Sequence, residues 1–191
     1  MLKIFSNNLK GFRKQRKLSQ LELSKKSGVS LGIINTLENS IYWTSGKTIG
    51  ALCRALEISY DRLFDEKADF TAVNRVNEKS LKEVFALNLA RFMYYRNVTQ
   101  EYLSKSTGIK IRTLSNFATA CTLPSPEKIK LIAKALDVKI WILFREIKTN
   151  LPLKIEKEIF ISMTKEQRTA LALQILEFER DEFFDFFYCG N

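Results

Sequence analysis

The chain has 191 residues, three cysteines, no histidine and a net charge of +10, from 31 basic and 21 acidic side chains. Histidine is the commonest general base and the commonest metal ligand, so its absence argues against catalytic and metal sites. The cysteines lack metal-site spacing, the first residues lack a signal-peptide pattern, and no apolar run approaches the ~18 residues of a membrane span. We therefore expect a cytoplasmic protein with no enzymatic activity, no cofactor and no membrane partner.

The first 65 residues predict five short helices, each begun by a small polar residue or closed by a turn residue. Gly28 suits the left-handed conformation that closes a helix and reverses the chain. The predicted helices run from Ser6 to about Lys17, from Ser19 to just before Gly28, from Ser30 to about Glu38, from Lys47 to Leu56 and from Ser59 to Asp65.

The same pattern occurs a second time. Residues Leu9–Phe64 align without a gap to Leu89–Phe144 at a shift of 80 residues, with 14 identities in 56 positions. Two copies with so long a period predict two small domains rather than a solenoid. A capping box at Ser80 and Glu83 and the start Ser125-Pro126-Glu127 punctuate the second copy. We expect domains at 1–68 and 78–149, with the polar residues 66–79 as a linker.

Residues 150–191 have a different pattern. Apolar residues alternate with charged ones from Leu153 to Ile161, which predicts a strand, and Thr164 to about Tyr188 predicts an amphipathic helix. One strand needs a partner, and the aromatic cluster Phe183–Tyr188 is too dense to leave in water. This extension either joins two chains in a homodimer or packs back onto its own repeats.

The charge distribution favours a polyanionic partner. Residues 1–70 carry 12 basic and 7 acidic side chains, residues 71–150 carry 14 and 6, and residues 151–191 carry 5 and 8. All the excess positive charge thus lies in the repeats, as expected for a surface that meets nucleic acid. Solvated lysine-rich faces that merely keep the protein soluble are the alternative.

The stretch Leu18–Asn39 carries a family resemblance. Its Ser-Gln start, Gly-Val-Ser turn and Leu-Glu-Asn end resemble the lambda Cro/CI (XRE) family of helix-turn-helix domains, and the match extends over about Leu9–Phe64. Val98–Phe117 is a weaker match. The resemblance implies a mainly α fold of two tandem five-helix lambda-repressor-like domains, followed by the strand-helix extension. It also implies double-stranded DNA as the partner.

In this family a recognition helix enters the major groove and its first turn faces the base edges. The resemblance therefore implies base-facing and phosphate-facing positions in both repeats. In repeat one these are Gln20, Ser30, Leu31, Gly32, Asn35, Thr36 and Asn39, with the loop residues Tyr42, Trp43 and Lys47; in repeat two they are Gln100, Lys110, Ile111, Arg112, Ser115 and Asn116. Asn35 is suited to adenine and Arg112 to guanine.

The repeats differ at a position that matters for the family. An Arg–Glu pair commonly ties the first helix to the end of the recognition helix, and repeat one keeps this structural ion pair as Arg13 and Glu38. Repeat two has Met93 and Ala118 at these positions. An apolar contact can replace a buried ion pair without loss of stability. Two interpretations of repeat two remain open: a second DNA reader, or a structural copy that binds a protein.

We expect a sequence-specific DNA-binding transcriptional regulator, acting as a repressor and as a homodimer. The alternative is a protein-binding module, such as an antitoxin or a prophage anti-CRISPR-type regulator. Such a protein would use the second repeat or residues 150–191 to grip its target.

Overall fold

The computed structural model describes residues 1–71 and 76–146, so the predicted strand, helix and aromatic cluster of residues 150–191 lie outside the described residues. Residues Met1–Glu146 form one compact unit. Its described part is helical, with a 3-10 turn closing each repeat. The α-helices are α1 (Leu2–Gln15), α2 (Gln20–Ser27), α3 (Leu31–Glu38), α4 (Gly46–Leu56), α5 (Leu81–Tyr95), α6 (Gln100–Thr107), α7 (Ile111–Ala118) and α8 (Pro126–Ala135); the 3-10 turns are Asp61–Leu63 and Ile140–Phe144.

Each repeat closes around its own apolar core. In repeat one, α2 packs against α3 and α4, while α1 packs against α3 and the 3-10 turn. The core of repeat one is formed by Leu9, Phe12, Leu23, Ile34, Leu37, Ile49 and Leu52, all at most 1% exposed. In repeat two, α6 packs against α7 and α8, while α5 packs against α7 and the second 3-10 turn, around Leu89, Leu103 and Leu114. The predicted mainly α fold with two tandem helix-turn-helix units is confirmed.

The start of the first helix was predicted wrongly. α1 begins at Leu2 and ends at Gln15, whereas Ser6 was expected to cap it and Lys17 to end it. Ser6 lies on the buried face of α1, and its hydroxyl donates to the carbonyl oxygen of Leu37. A serine in the helix interior thus satisfies its hydroxyl across the core instead of capping its own helix.

The fifth helix is also shorter than predicted, because Ser59–Asp65 contains only the 3-10 turn Asp61–Leu63. The amide nitrogen of Asn8 donates to the carbonyl oxygens of Arg62 at 3.1 Å, Leu63 at 3.3 Å and Asp65 at 2.7 Å. Those carbonyls are therefore satisfied from α1, where a longer helix would have used its own amide hydrogens.

The segment predicted as a linker is packed at both of its described ends. The ring of Phe70 lies edge-on to Phe12, with centroids 5.0 Å apart. At the other end, Glu146 accepts hydrogen bonds from the backbone amides of Glu78 at 2.8 Å and Lys79 at 3.1 Å. Over residues 1–71 and 76–146, no helix combines the length and apolarity that crossing a membrane requires.

Candidate nucleic-acid interface

The α2–α3 unit is built by strong local signals. Ser19 and Glu22 form a reciprocal capping box, in which the Glu22 carboxylate accepts from the Ser19 amide at 2.7 Å and the Ser19 hydroxyl accepts from the Glu22 amide at 3.1 Å. Gly28 closes α2 at a φ of +70°, a conformation that costs glycine nothing. Val29 is buried behind the turn, and α3 begins two residues later. The turn therefore orients α3 so that one face packs on the core and the other faces solvent.

The solvent face of α3 carries the predicted readers of repeat one. Ile34 and Leu37 are fully buried, whereas Leu31 is 43% exposed. Ser30, Gly32, Asn35 and Asn39 are also exposed. A Cβ atom added to Gly32 would meet no described residue within 4 Å, so within residues 1–71 and 76–146 this face has open space where a base edge would sit.

Polar groups on this face are partly committed to local contacts. The side-chain amide of Asn39 donates to both the backbone oxygen and Oδ1 of Asn35. Oδ1 of Asn35 keeps a second lone pair and its amide keeps both hydrogens, so adenine can still be read bidentately. The Thr36 hydroxyl donates back to the carbonyl oxygens of Gly32 at 3.0 Å and Ile33 at 2.9 Å. Thr36 is half-buried and keeps only acceptor capacity for DNA.

A buried ion pair braces the carboxyl end of α3. Arg13 on α1 donates from Nε to Oε1 of Glu38 at 2.6 Å and from Nη2 to Oε2 at 2.7 Å. Gln20 donates to the same Oε2 at 2.9 Å, so α1, α2 and α3 meet at one carboxylate. Burial would raise the pKa of Glu38, but hydrogen bonds from Arg13 and Gln20 outweigh it and hold that pKa below its usual value. Gln20 thus connects the start of α2 to the carboxyl end of α3.

Repeat two presents an equally exposed helix with different chemistry. Gly108 repeats the left-handed turn at a φ of +70°. The exposed positions on α7 and its N-cap are Lys110, Ile111, Arg112 and Asn116, whereas Ser115 and Gln100 are half-buried. Within residues 1–71 and 76–146, the side chains of Arg112 and Lys110 make no hydrogen bond or ion pair. Two cations at the start of α7 are therefore free to meet an anion.

The brace of repeat one has no counterpart in repeat two. Met93 and Ala118, the residues expected there, are half-buried, and α5 still packs against α7. Gln100 loses the carboxylate that its equivalent Gln20 binds. In the part of the chain that the structure describes, its amide makes no hydrogen bond, which leaves it available to a phosphate.

Sequence reasoning missed one pair of structural residues. Asn88 donates to the carbonyl oxygens of Ile142 at 3.1 Å, Leu143 at 3.2 Å and Arg145 at 2.8 Å, as Asn8 does in repeat one. Asn8 and Asn88 are 6% and 1% exposed, buried amides at equivalent positions. The repeat alignment that began at Leu9 stopped one residue short of them, and extending it would have found both.

The polar groups of the described interface are not arranged as metal ligands. Among the described residues, no group of three or more histidine, cysteine, aspartate or glutamate side chains is arranged to hold a metal ion. What the described part of the site offers is helix termini, amides, a guanidinium and lysines. These are the groups that proteins use to contact phosphates and base edges.

A short cap, a left-handed glycine turn and an outward-facing second helix, present twice, define a helix-turn-helix protein. A helix-turn-helix family model matches residues 9–63 and 96–140, together more than half of the chain. The chain therefore belongs to the XRE-type helix-turn-helix family, a family of DNA-binding regulators, and carries the domain in tandem. No match was found among curated proteins, and none among solved structures.

Proposed function

We propose that this protein is a sequence-specific transcriptional repressor that works in the cytoplasm and inserts α3 into the major groove of its operator. The observation that carries the proposal concerns α3. The Arg13–Glu38 ion pair fixes its carboxyl end, and the start of the helix is exposed to solvent. Phosphate contacts would supply most of the affinity, and base contacts the selectivity.

Repeat two is a second DNA reader in this proposal. Base contacts need polar groups at the groove-facing positions, and α7 offers the exposed Arg112 with Lys110 beside it. Their freedom from intramolecular partners among the described residues favours DNA reading over a purely structural role.

Footprinting on the DNA upstream of the protein's own gene tests the proposal. The wild type should protect a discrete site, and Asn35→Ala and Arg112→Ala should each weaken protection about 5- to 150-fold, the value of one good bidentate base contact. Asn7→Ala is the matched control, because Asn7 is an exposed asparagine on α1 outside the reading face. If Asn35→Ala alone weakens protection, repeat two is not a reader.

Salt dependence and a reporter gene complete the test. Affinity should fall steeply between ~50 and 200 mM salt, because neutralised phosphates release counterions. A flat salt response would contradict DNA binding. A reporter downstream of the protected site should be silenced by the wild type; stimulated expression would make the protein an activator.

The protein-binding alternative depends on residues 150–191, which lie outside the described residues, as does the expected homodimer contact. Deleting residues 150–191 should leave DNA protection in place if those residues serve only dimerisation or protein binding. A stable protein partner that is captured by the full chain and lost on this deletion would favour the antitoxin-like alternative.

A further inference from the structure

The two repeats meet through equivalent surfaces. Phe64 stacks on Phe144, its counterpart 80 residues later, with ring centroids 4.0 Å apart and planes at 26°. Phe5 packs on Phe64 with centroids 5.8 Å apart. Its counterpart Phe85 packs on Phe144 with centroids 5.7 Å apart. The ladder of four rings has the same order from either end, and an interface that uses the same patch on both sides is isologous, with local two-fold symmetry.

Contacts away from the rings are reciprocal too. The start of α5 lies against α4, since a Cβ atom on Gly46 would be 3.6 Å from the Cβ of Leu81. In the matching place, Met1 at the start of α1 and Lys130 on α8 line one cleft. Met1 corresponds to Leu81, and Lys130 lies on the helix that corresponds to α4. In each repeat the start of the first helix thus lies near the fourth helix of the other repeat, as a two-fold relation requires.

The loops that follow α3 and α7 meet at one cleft. A cleft of about 540 Å³, here called the central cleft, is lined by residues 43–45 and 121–123 together. These are the equivalent loops that follow α3 and α7. Both loops therefore approach the same cleft.

The central cleft is suited to a phosphate backbone. Among the described residues that line it, the basic ones are Lys47, Arg54 and Lys82, and none is an aspartate or a glutamate. Over residues 1–71 and 76–146 none of these three cations forms an ion pair. Unpaired cations in a cleft beside both loops attract a phosphate backbone.

The two reading faces are chemically different. Leu31, Gly32 and Asn35 in repeat one stand where repeat two has Ile111, Arg112 and Ser115. We propose that a single chain acts as an internal pseudo-dimer and binds a bipartite, non-palindromic DNA site, with an adenine-containing half under α3 and a guanine-containing half under α7. The half-sites are inverted relative to each other, with centres about one helical turn (~34 Å) apart, and the central cleft contacts phosphates of the same duplex. This inference rests on the proposed DNA-binding function.

The test is selection of bound duplexes from a random-sequence DNA library by the full chain. The wild type should enrich a site with two unlike halves, bound by one chain per site in native mass spectrometry. Arg112→Ala should lose discrimination, about 5- to 150-fold, at the guanine half alone, and Asn35→Ala at the other half alone. A palindromic site bound by two chains, with Asn35→Ala weakening both halves alike, would overturn the inference while leaving the repressor proposal standing.

A second variant tests the two-fold relation itself. Leu31→Ile, Gly32→Arg, Asn35→Ser and Thr36→Asn together give repeat one the reading residues of repeat two at exposed or half-buried positions. If the repeats are related by a two-fold axis, this variant should enrich an inverted repeat of the guanine half-site. A direct repeat would mean a head-to-tail arrangement and would overturn the inference.

The central cleft is tested by charge removal. Lys47→Ala with Lys82→Ala should lower the salt slope of binding by about 1.8, from two lost phosphate contacts, and weaken all sequences equally. Lys3→Ala with Lys14→Ala is the matched control, since both are exposed lysines on α1 that line neither cleft. Equal effects of both pairs would remove the role of the central cleft. If the library yields no enriched sequence with the wild type, the proposed function and this inference fail together.

Discussion

Replacing Glu38 alone should harm the protein more than replacing Glu38 and Arg13 together. The two side chains form a bidentate pair at 2.6 and 2.7 Å, and only 10% of the arginine and 2% of the glutamate side chain is exposed. Glu38→Ala leaves a buried guanidinium without its counter-charge, which costs about 3–5 kcal/mol of unfolding free energy. Arg13 keeps only its 2.8 Å bond to the carbonyl oxygen of Leu18.

The double variant Arg13→Met/Glu38→Ala should recover most of that loss. Repeat two carries Met93 and Ala118 at these positions and keeps the same helix packing, so an apolar contact serves there. We expect the double variant to lie within about 1 kcal/mol of the wild type, because a buried pair is often replaced by apolar residues at little cost. The coupling energy, which is the sum of the two single losses minus the loss of the double variant, should therefore exceed about 2 kcal/mol.

Urea unfolding followed by circular dichroism at pH 7 measures this cycle on the wild type, both single variants and the double variant. The exposed pair Lys26–Glu57 gives the control, because its side chains are 46% and 60% exposed. The cycle of Lys26→Met and Glu57→Gln should show a coupling below about 1 kcal/mol. If the losses from Arg13→Met and Glu38→Ala simply add, the pair is not an isolated buried charge pair and the reasoning fails.

Three further predictions follow from single contacts. The folded pKa of Glu38 is lowered, so the stability that this group adds is present above its usual pKa of 4.5 and lost as the pH falls through its folded value. The urea midpoint of the wild type should fall in that acid range, and the double variant should lack this part of the fall. Gly32→Ala meets open space on a helix and should raise the unfolding free energy by about 0.5–1 kcal/mol; a lower melting temperature would contradict the open geometry. Gly46→Cys with Leu81→Cys should form a disulfide across the 3.6 Å Cβ separation, in a chain whose cysteines other than Cys53 are replaced by serine. The disulfide should raise the unfolding free energy by up to about 4 kcal/mol. Failure to cross-link would refute the contact between α4 and α5.

The helix-turn-helix units were predictable because their signals are local. The Ser19–Glu22 box lies within one turn, and Gly28 needs only its own φ to close α2. The 3.6-residue spacing of apolar residues places Leu23 and Ile34 in the core without knowledge of the rest of the chain. For the same reason the exposed faces of α3 and α7 could be placed from the sequence.

The errors arose where a side chain reaches across the fold. Ser6 was predicted to cap α1, but its hydroxyl bonds to Leu37, 31 residues away. The fifth helix was predicted too long, because the side-chain amide of Asn8 donates hydrogen bonds to the carbonyl oxygens of that segment, about 55 residues away in the sequence. Such partners depend on which surfaces meet after folding, and a window along the chain does not contain them.

The duplication, the reading helices and the contrast between Asn35 and Arg112 could all be read from the amino-acid order, because each depends on residues within one repeat. That Phe64 meets Phe144, and that the loops after α3 and α7 line one cleft, was decided by tertiary packing alone. An apolar face must be covered, but its sequence does not specify whether a second chain, a tail or the neighbouring repeat covers it. In this protein the neighbouring repeat does.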